Sequence, residues 1–449
     1  MAVVGGGVVG CAVARRLALA GRRTILLERG PDILTGASKA NSAILHTGFD
    51  APPGSLELAC MREGYAEYVA IRERLGLPLL VTGAAVVAWS EADLARLDGI
   101  EAQARGNGVD EVRRIDRAEL LAREPRLSPD CWGALLVPGE HVIDPWSAPL
   151  AYLHQAVAHG AAVRFDAEVT GGVFASGAWA LGTTAGPVAA GWVINCAGLF
   201  GDRLEERLLG DAAMRILPRK GQFVVFDKPA AALLRTTILP VPGERTKGVV
   251  LVRTVFGNLL VGPTAEEQDD RERATVEHGT LRALVERAVA MLPALAAMPV
   301  TATYAGLRPA TERKEYRLRH EPDRHWLTIG GIRSTGLTAA LGLAAHAARL
   351  LGLDVREPRI WPHLPNLADD QPRDWQRPDH GDMVCHCELV TRREIEAALC
   401  GPLPARDLGG LKRRTRAAMG RCQGFYCGAE LARMTEGRLA VPLAVASRG

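Results

Sequence analysis

The tightest constraint on this chain stands at its start. Val3 and Val4 lead into Gly5-Gly6-Gly7-Val8-Val9-Gly10, and Cys11 to Ala20 then runs at helical spacing until Gly21. The order is strand, glycine turn, helix. Gly5 permits the tight turn, Gly7 lets the backbone approach a pyrophosphate, and Gly10 lets helix and strand pack closely, with the phosphates at the helix N-terminus. The next apolar run, Thr24 to Leu27, ends in Glu28, 18 residues after the third glycine. A carboxylate placed there accepts hydrogen bonds from a ribose hydroxyl. The chain must therefore build a Rossmann-like α/β nucleotide domain.

Its 449 residues predict about three folding units. With 48% hydrophobic and 23% charged residues the chain is globular, and a formal charge of +3 excludes a nucleic-acid footprint based on net charge. No basic stretch precedes an apolar run at the start, so a cytoplasmic location is expected. Residues 169–201 carry no charge, yet glycines and Pro187 break them into strands and turns rather than a membrane helix. Five of the nine cysteines lie after residue 384, a clustering that points to metal chemistry rather than disulfides.

Which nucleotide is bound is read from Arg29-Gly30 and from Thr35 to Gly48, where small residues end in His46-Thr47-Gly48. This stretch resembles the glycine (D-amino acid) oxidase-like superfamily of FAD enzymes, in the branch of glycerol-3-phosphate dehydrogenases and L-2-hydroxyglutarate oxidases. Val193 to Gly198, a strand ending in a small-residue turn, is similar to the family's second FAD contact. His325 to Thr338, opening an alanine-rich helix, is similar to its last motif. The resemblance implies FAD contacts at Gly5, Gly7, Gly10, Glu28, Arg29, Ser38, Asn41, Ser42, Ala197, Gly198, Gly331, Ile332, Gly336, Leu337 and Thr338. Val169 fits the adenine contact, although an ordinary strand residue would look the same. An FAD-dependent core over residues 1–360 is implied, with an antiparallel substrate sheet inserted at about 77–136 and 216–300. A charged helix is expected from Arg271 to Leu292.

Arg308, in Tyr304 to Pro309, resembles the arginine that glycerol-3-phosphate dehydrogenases bring to the substrate phosphate; a structural ion pair is the alternative. Arg333 lies in the flavin-facing loop, where its charge would stabilise reduced flavin or bind an acidic group, unless it serves only the surface. Oxidising an alcohol requires a base near neutrality, and His46 is best placed, either as that base or to position the flavin. Lys220, Gln222 and Thr264 are expected near the pocket without an assigned role.

Pro- and Asp-rich residues 361–379 form a linker. Beyond it Cys385-His386-Cys387 and Cys422 to Cys427 are separated by 34 residues, with a capping box at Thr391 and Glu394 and a basic run from Lys412 to Arg421. Residues 380–435 resemble the small helical bacterioferritin-associated ferredoxin-like domain, whose cysteines hold a 2Fe-2S cluster. The resemblance implies Cys385, Cys387, Cys422 and Cys427 as ligands. Four thiolates suit a structural zinc equally. Residues 436–449 form a tail. The basic run offsets cluster charge or is a solvated face.

Together these features imply an FAD-dependent dehydrogenase of a small anionic secondary alcohol, first glycerol 3-phosphate, with hydride passing to FAD and electrons leaving by the cluster to a partner protein or quinone. L-2-hydroxyglutarate, another 2-hydroxy acid or an amino acid is the alternative substrate. A chain serving chiefly as the electron-transfer subunit of a larger flavoprotein is the alternative class. Attachment at the inner membrane face would come through a partner, since no transmembrane segment is expected.

Overall fold

The computed structural model describes residues 1–243 and 248–443. The opening unit consists of strand β1 (Ala2–Val4), helix α1 (Val8–Leu19) and strand β2 (Ile25–Leu27). Gly5 takes φ +112°, and a Cβ on it would sit 2.5 Å from the Cys196 carbonyl oxygen. A Cβ on Gly10 would sit 1.9 Å from the Gly5 carbonyl oxygen. Only glycine allows this turn and this approach of helix to strand.

A six-stranded sheet grows from β1. Val193–Asn195 and β2 flank it in parallel, Trp326–Gly330 and Ala162–Arg164 lie beyond them, and Arg317–Glu321 closes one edge as an antiparallel hairpin strand. The uncharged stretch after Glu168 forms three antiparallel strands and the start of Val193–Asn195, rather than a span. Among the described residues no helix is long and apolar enough to cross a membrane. Asp144 accepts from the amides of Trp146 and Ser147, starting helix Ser147–Ala158, which packs on α1. Helices Leu56–Leu75 and Gly336–Leu350 pack tightly together behind the same sheet.

The second sheet joins Ala84–Ala88, Arg113–Asp116 and Gly133–Val137 to strands of the later stretch. It is antiparallel except where Ala84–Ala88 meets Thr237–Pro240 in parallel; those strands come from different parts of the chain, so no hairpin sets their direction. The expected end of the later insertion at residue 300 needs correction. Strand Val300–Thr311 pairs along Ile216–Phe226 from Phe226 with Val300 to Ile216 with Thr311, which carries the sheet to residue 311. The helix expected from Arg271 begins only at His278. Arg271 is held off it by a buried pairing with Asp202 and by the carbonyls of Leu199 and Ile216.

Residues 383–443 form a small third unit with its own apolar core around Val390, Ile395, Leu411 and Leu431. Its helices are Arg392–Ala398, Leu408–Thr415 and Gly428–Thr435. Thr391 and Glu394 cap the first reciprocally. The tail turns back as Ala440 donates to the Arg406 carbonyl; its residues 444–449 lie outside the described residues.

Candidate functional site

A cavity of about 500 Å³ runs from the β1–α1 turn, past the end of β2, to the loop before helix Gly336–Leu350. Its walls carry Gly5, Gly7, Glu28, Arg29, Ser38, Asn41, Ser42, Val169, Ala197, Gly198, Gly331, Ile332, Gly336 and Leu337. Arg308 and Arg333 stand on the same wall. Fourteen residues expected at a cofactor thus share one concave surface with the two candidate arginines. Gly10 and Thr338 lie just behind it: Gly10 allows the close packing at the turn, and Thr338 accepts from the His46 amide at 3.0 Å. The cavity has the polar features a dinucleotide requires. Gly7, at the head of α1, has no side chain to cap the helix, Ser38 Oγ accepts from the Val8 amide at 3.1 Å, and Glu28 is buried where the cavity meets the end of β2. The Glu28 carboxylate accepts from the Gly6 and Gly30 amides, so it also fixes the turn itself.

Arg308 lies within its strand rather than at the end, facing the cavity. Its Nη2 donates to the Thr264 carbonyl at 2.9 Å, and among the described residues no carboxylate pairs with it. Burial, with Arg219 adding to it, lowers its pKa to about 10, so Arg308 remains a cation at neutral pH. A half-buried guanidinium on a cavity wall, with no carboxylate partner among the described residues, is set to take an anionic ligand. Arg333 stands 3.8 Å from Glu57, whose other oxygen accepts from Thr335 Oγ1. Lys220, Gln222 and Thr264 are not on the cavity wall. They converge instead on Glu266, with Lys220 also paired to Glu277.

His46 is likewise set behind the wall, with its imidazole 16% exposed. Its Nδ1 lies 2.7 Å from Glu140 Oε2, and the other Glu140 oxygen accepts from the Thr47 amide and hydroxyl at 2.6 and 2.8 Å. Glu140 is fully buried. Held in this way, Nδ1 carries the proton and Nε2 is left as the acceptor. Sequence reading missed Glu140, 94 residues from its partner; a lone acid in Pro138-Gly139-Glu140-His141, between two apolar strands, was the available signal.

In the small unit the four expected thiols pair two by two, Cys385 with Cys427 and Cys387 with Cys422. Among the described residues no three potential ligands close on one point. Backbone amides of Tyr426, Gly424 and Phe425 hold the Cys422 thiol below its usual range. Burial, then the neighbouring Cys385, pushes Cys427 up to about 11, so a bound cation is needed to keep that sulfur ionised.

Most of the basic run is packed rather than solvated: Arg413, Arg414 and Arg416 lie in the seam between this unit and the rest of the chain, and only Arg421 at its end is exposed. Asp32, fully buried just after β2, is gripped by both Arg414 nitrogens at 2.8 and 2.9 Å and by the Arg406 amide. Arg413 and Arg406 donate to the carbonyls of Ile33 and Pro31. Arg416 pairs with Glu388 and lies 3.9 Å over the Phe256 ring. Phe256 stacks on Trp146, and Trp146 Nε1 donates to the Lys39 carbonyl. Lys39 lines the cavity and Ile33 lies two residues before its lining segment, so the small unit is seated on the same loop that shapes the cofactor site.

The fold and the two sites define a flavoprotein with an appended iron-sulfur module. The chain belongs to the FAD dependent oxidoreductase family, whose model matches residues 1–350, and residues 383–436 match the BFD-like 2Fe-2S binding domain. FAD and a 2Fe-2S cluster are its cofactors. It is 30% identical over 440 residues to the glycerol 3-phosphate dehydrogenase of Caloramator mitchellensis, covering 95% of this chain and 92% of that one. It is 26% identical to one subunit of the anaerobic glycerol-3-phosphate dehydrogenase of Escherichia coli K12, covering 96% and 86%. Among solved structures, dithionite-reduced L-alpha-glycerophosphate oxidase of Mycoplasma pneumoniae with FAD bound matches with TM-score 0.75 at 26% identity, covering 81% of this chain and 98% of that one.

Proposed function

We propose that this chain oxidises glycerol 3-phosphate at its FAD and releases the electrons through the C-terminal cluster. The observation that carries this is Arg308, a half-buried cation on the cavity wall without a carboxylate partner among the described residues. The relatives named for glycerol 3-phosphate across nearly the whole chain favour phosphate over carboxylate as its ligand. The residues implied at the cavity by the sequence, from Gly5 to Leu337, hold the FAD. Cys385, Cys387, Cys422 and Cys427 hold the cluster. When bound, the flavin takes up a hydride and the 2Fe-2S centre passes electrons singly.

Arg308 binds the substrate's anionic group and so orients its carbinol carbon. Arg333 supplies a second positive charge at the loop Gly331–Ser334. His46 Nε2 accepts the hydroxyl proton, with Thr338 fixing its backbone. The chain works in the cytoplasm, and any contact with a membrane comes through the electron acceptor, a partner protein or quinone.

The test is an anaerobic absorbance titration of the iron-replete protein with glycerol 3-phosphate. Bleaching of the flavin band, then of the cluster band, is expected. No bleaching by glycerol 3-phosphate, with full bleaching by L-2-hydroxyglutarate or an amino acid, would replace the phosphate reading. No bleaching by any of these, with dithionite still reducing both centres, would leave the chain as an electron-transfer subunit.

A further inference from the structure

Phe425 and Tyr426 are the two most exposed large apolar side chains among the described residues, at 83% and 75%. They sit between Cys422 and Cys427, and their rings meet edge to face at 5.2 Å. The four thiols beneath them are not equivalent. Cys385 and Cys427 are buried, whereas Cys387 and Cys422 are half-buried. Leu389, two residues beyond Cys387, is also exposed. The module thus buries one thiol pair and leaves the other partly exposed, with Cys422 in the same tight loop as the two rings.

The exposed charge beside the patch is arginine, and each arginine is matched to an acid: Arg421 to Asp227 at 2.8 Å, and Arg433 to Glu430. Phe425 donates its amide to the Cys422 carbonyl, Gly428 to Gly424 and Leu431 to Cys427, so the loop winds directly into helix Gly428–Thr435. Tyr426, Ala429 and Arg433 follow at helical spacing and are all exposed. Arg433 and Arg421, flanking the pair along the chain, have side chains 76% and 66% exposed. Glu430 is shared between Arg433 and Arg392, and both acids lie deeper than their partners, Asp227 at 9% and Glu430 at 21%, so the solvent-facing charged groups at the patch are guanidiniums. Exposed aromatics flanked by exposed arginines have the composition of a protein-binding hot spot.

We propose that Phe425 and Tyr426, with Arg421 and Arg433, form the docking site of an electron-accepting protein with an acidic face. The inference rests on the reading that electrons leave through the cluster, and on the match to a chain named as one subunit of a larger enzyme. Each encounter passes one electron to the acceptor's metal or flavin group, with no bond made or broken. Two encounters remove the two electrons of one substrate oxidation. The arginines steer the acidic partner, and the aromatic pair supplies the contact that brings its redox group over Cys387 and Cys422.

The experiment uses the full holoprotein, reduced either by substrate or by a stoichiometric amount of dithionite, so that a wrong substrate does not affect it. Electron delivery is followed to three probes: an acidic blue-copper protein (plastocyanin), basic cytochrome c, and ferricyanide. The wild type should reduce the acidic protein faster than the basic one, with a rate that falls as salt rises. Phe425→Ser with Tyr426→Ser should lower that rate roughly tenfold or more while ferricyanide reduction is kept. If the double variant fails to assemble its cluster, Arg433→Glu carries the test, and the same probe should slow while its salt dependence flattens. Unchanged delivery to the acidic protein would overturn the proposal. So would equal slowing of all three probes, which would make the patch a support of the cluster. Cosedimentation of the wild type, lost in the variant, with vesicles of phosphatidylcholine and phosphatidylserine would overturn it in favour of a membrane surface.

Discussion

At the scale of the residue, the substrate chemistry depends on two charges that the fold places under opposite constraints. Arg308 is half-buried and gives one donor to the Thr264 carbonyl, so most of its hydrogen-bonding capacity is kept for a ligand. A charge-assisted contact of this kind contributes about 1.5–3 kcal/mol. Arg308→Ala should therefore raise the KM for glycerol 3-phosphate by about 10- to 100-fold while kcat changes far less, in steady-state assays with an artificial acceptor. An unchanged KM would remove Arg308 from the site. Glu140 is constrained in the opposite sense, because both of its oxygens are spent on His46 and Thr47. Glu140→Gln keeps the shape but loses the charge that orients and stabilises the imidazole, so kcat should fall by about 10²-fold with KM nearly constant. If His46→Asn is inactive and Glu140→Gln is not, His46 acts without its carboxylate. If both retain wild-type rates of flavin reduction, His46 is not the base.

Among the elements, those whose signals are local could be read from the sequence. The β1–α1 turn needs glycine at fixed steps, Val193–Asn195 and Trp326–Gly330 are short apolar runs ending in small residues, and the capping box at Thr391 lies within four residues. What sequence could not show depends on partners far along the chain. Strand Val300–Thr311 extends past residue 300 because Ile216–Phe226 lies alongside it, and Arg271 leaves its expected helix because Asp202 captures it. Helix Ser147–Ala158 gives a further case. Its His154 faces Arg414 of the small unit, and burial, then that charge, lowers the His154 pKa to about 4. The unfolded chain binds a proton there near pH 6.5 and the folded chain does not, so stability falls as pH drops from about 6.5 toward 4 and the loss is constant below that. Replacing His154 with Gln should flatten this limb in thermal melts taken across that range, and an unaltered limb would assign the acid sensitivity elsewhere.

Across the whole molecule, the decisive contact joins ends of the chain that no local pattern connects. Asp32 and Arg414 are 382 residues apart, and their buried pair fixes the iron-sulfur module to the loop between Glu28 and Ser38 that shapes the flavin cavity. The basic run has the right composition for a solvated face, and only the position of a single buried acid shows that it is a seam. Removing one member of a buried pair costs about 3–5 kcal/mol, because the other is left uncompensated. Asp32→Asn should thus release the module more readily than it perturbs substrate binding. Two measurements check this together: amide exchange in helix Leu408–Thr415 should accelerate, and in anaerobic stopped flow the flavin band should bleach at the wild-type rate while the cluster band lags behind it. Cys427→Ala separates docking from wiring, since it should abolish the cluster band and slow acceptor reduction with flavin bleaching by substrate left intact. Should flavin bleaching fail in Cys427→Ala as well, the module is a structural part of the flavin site. The reductive path would then have to leave the molecule directly from the cavity.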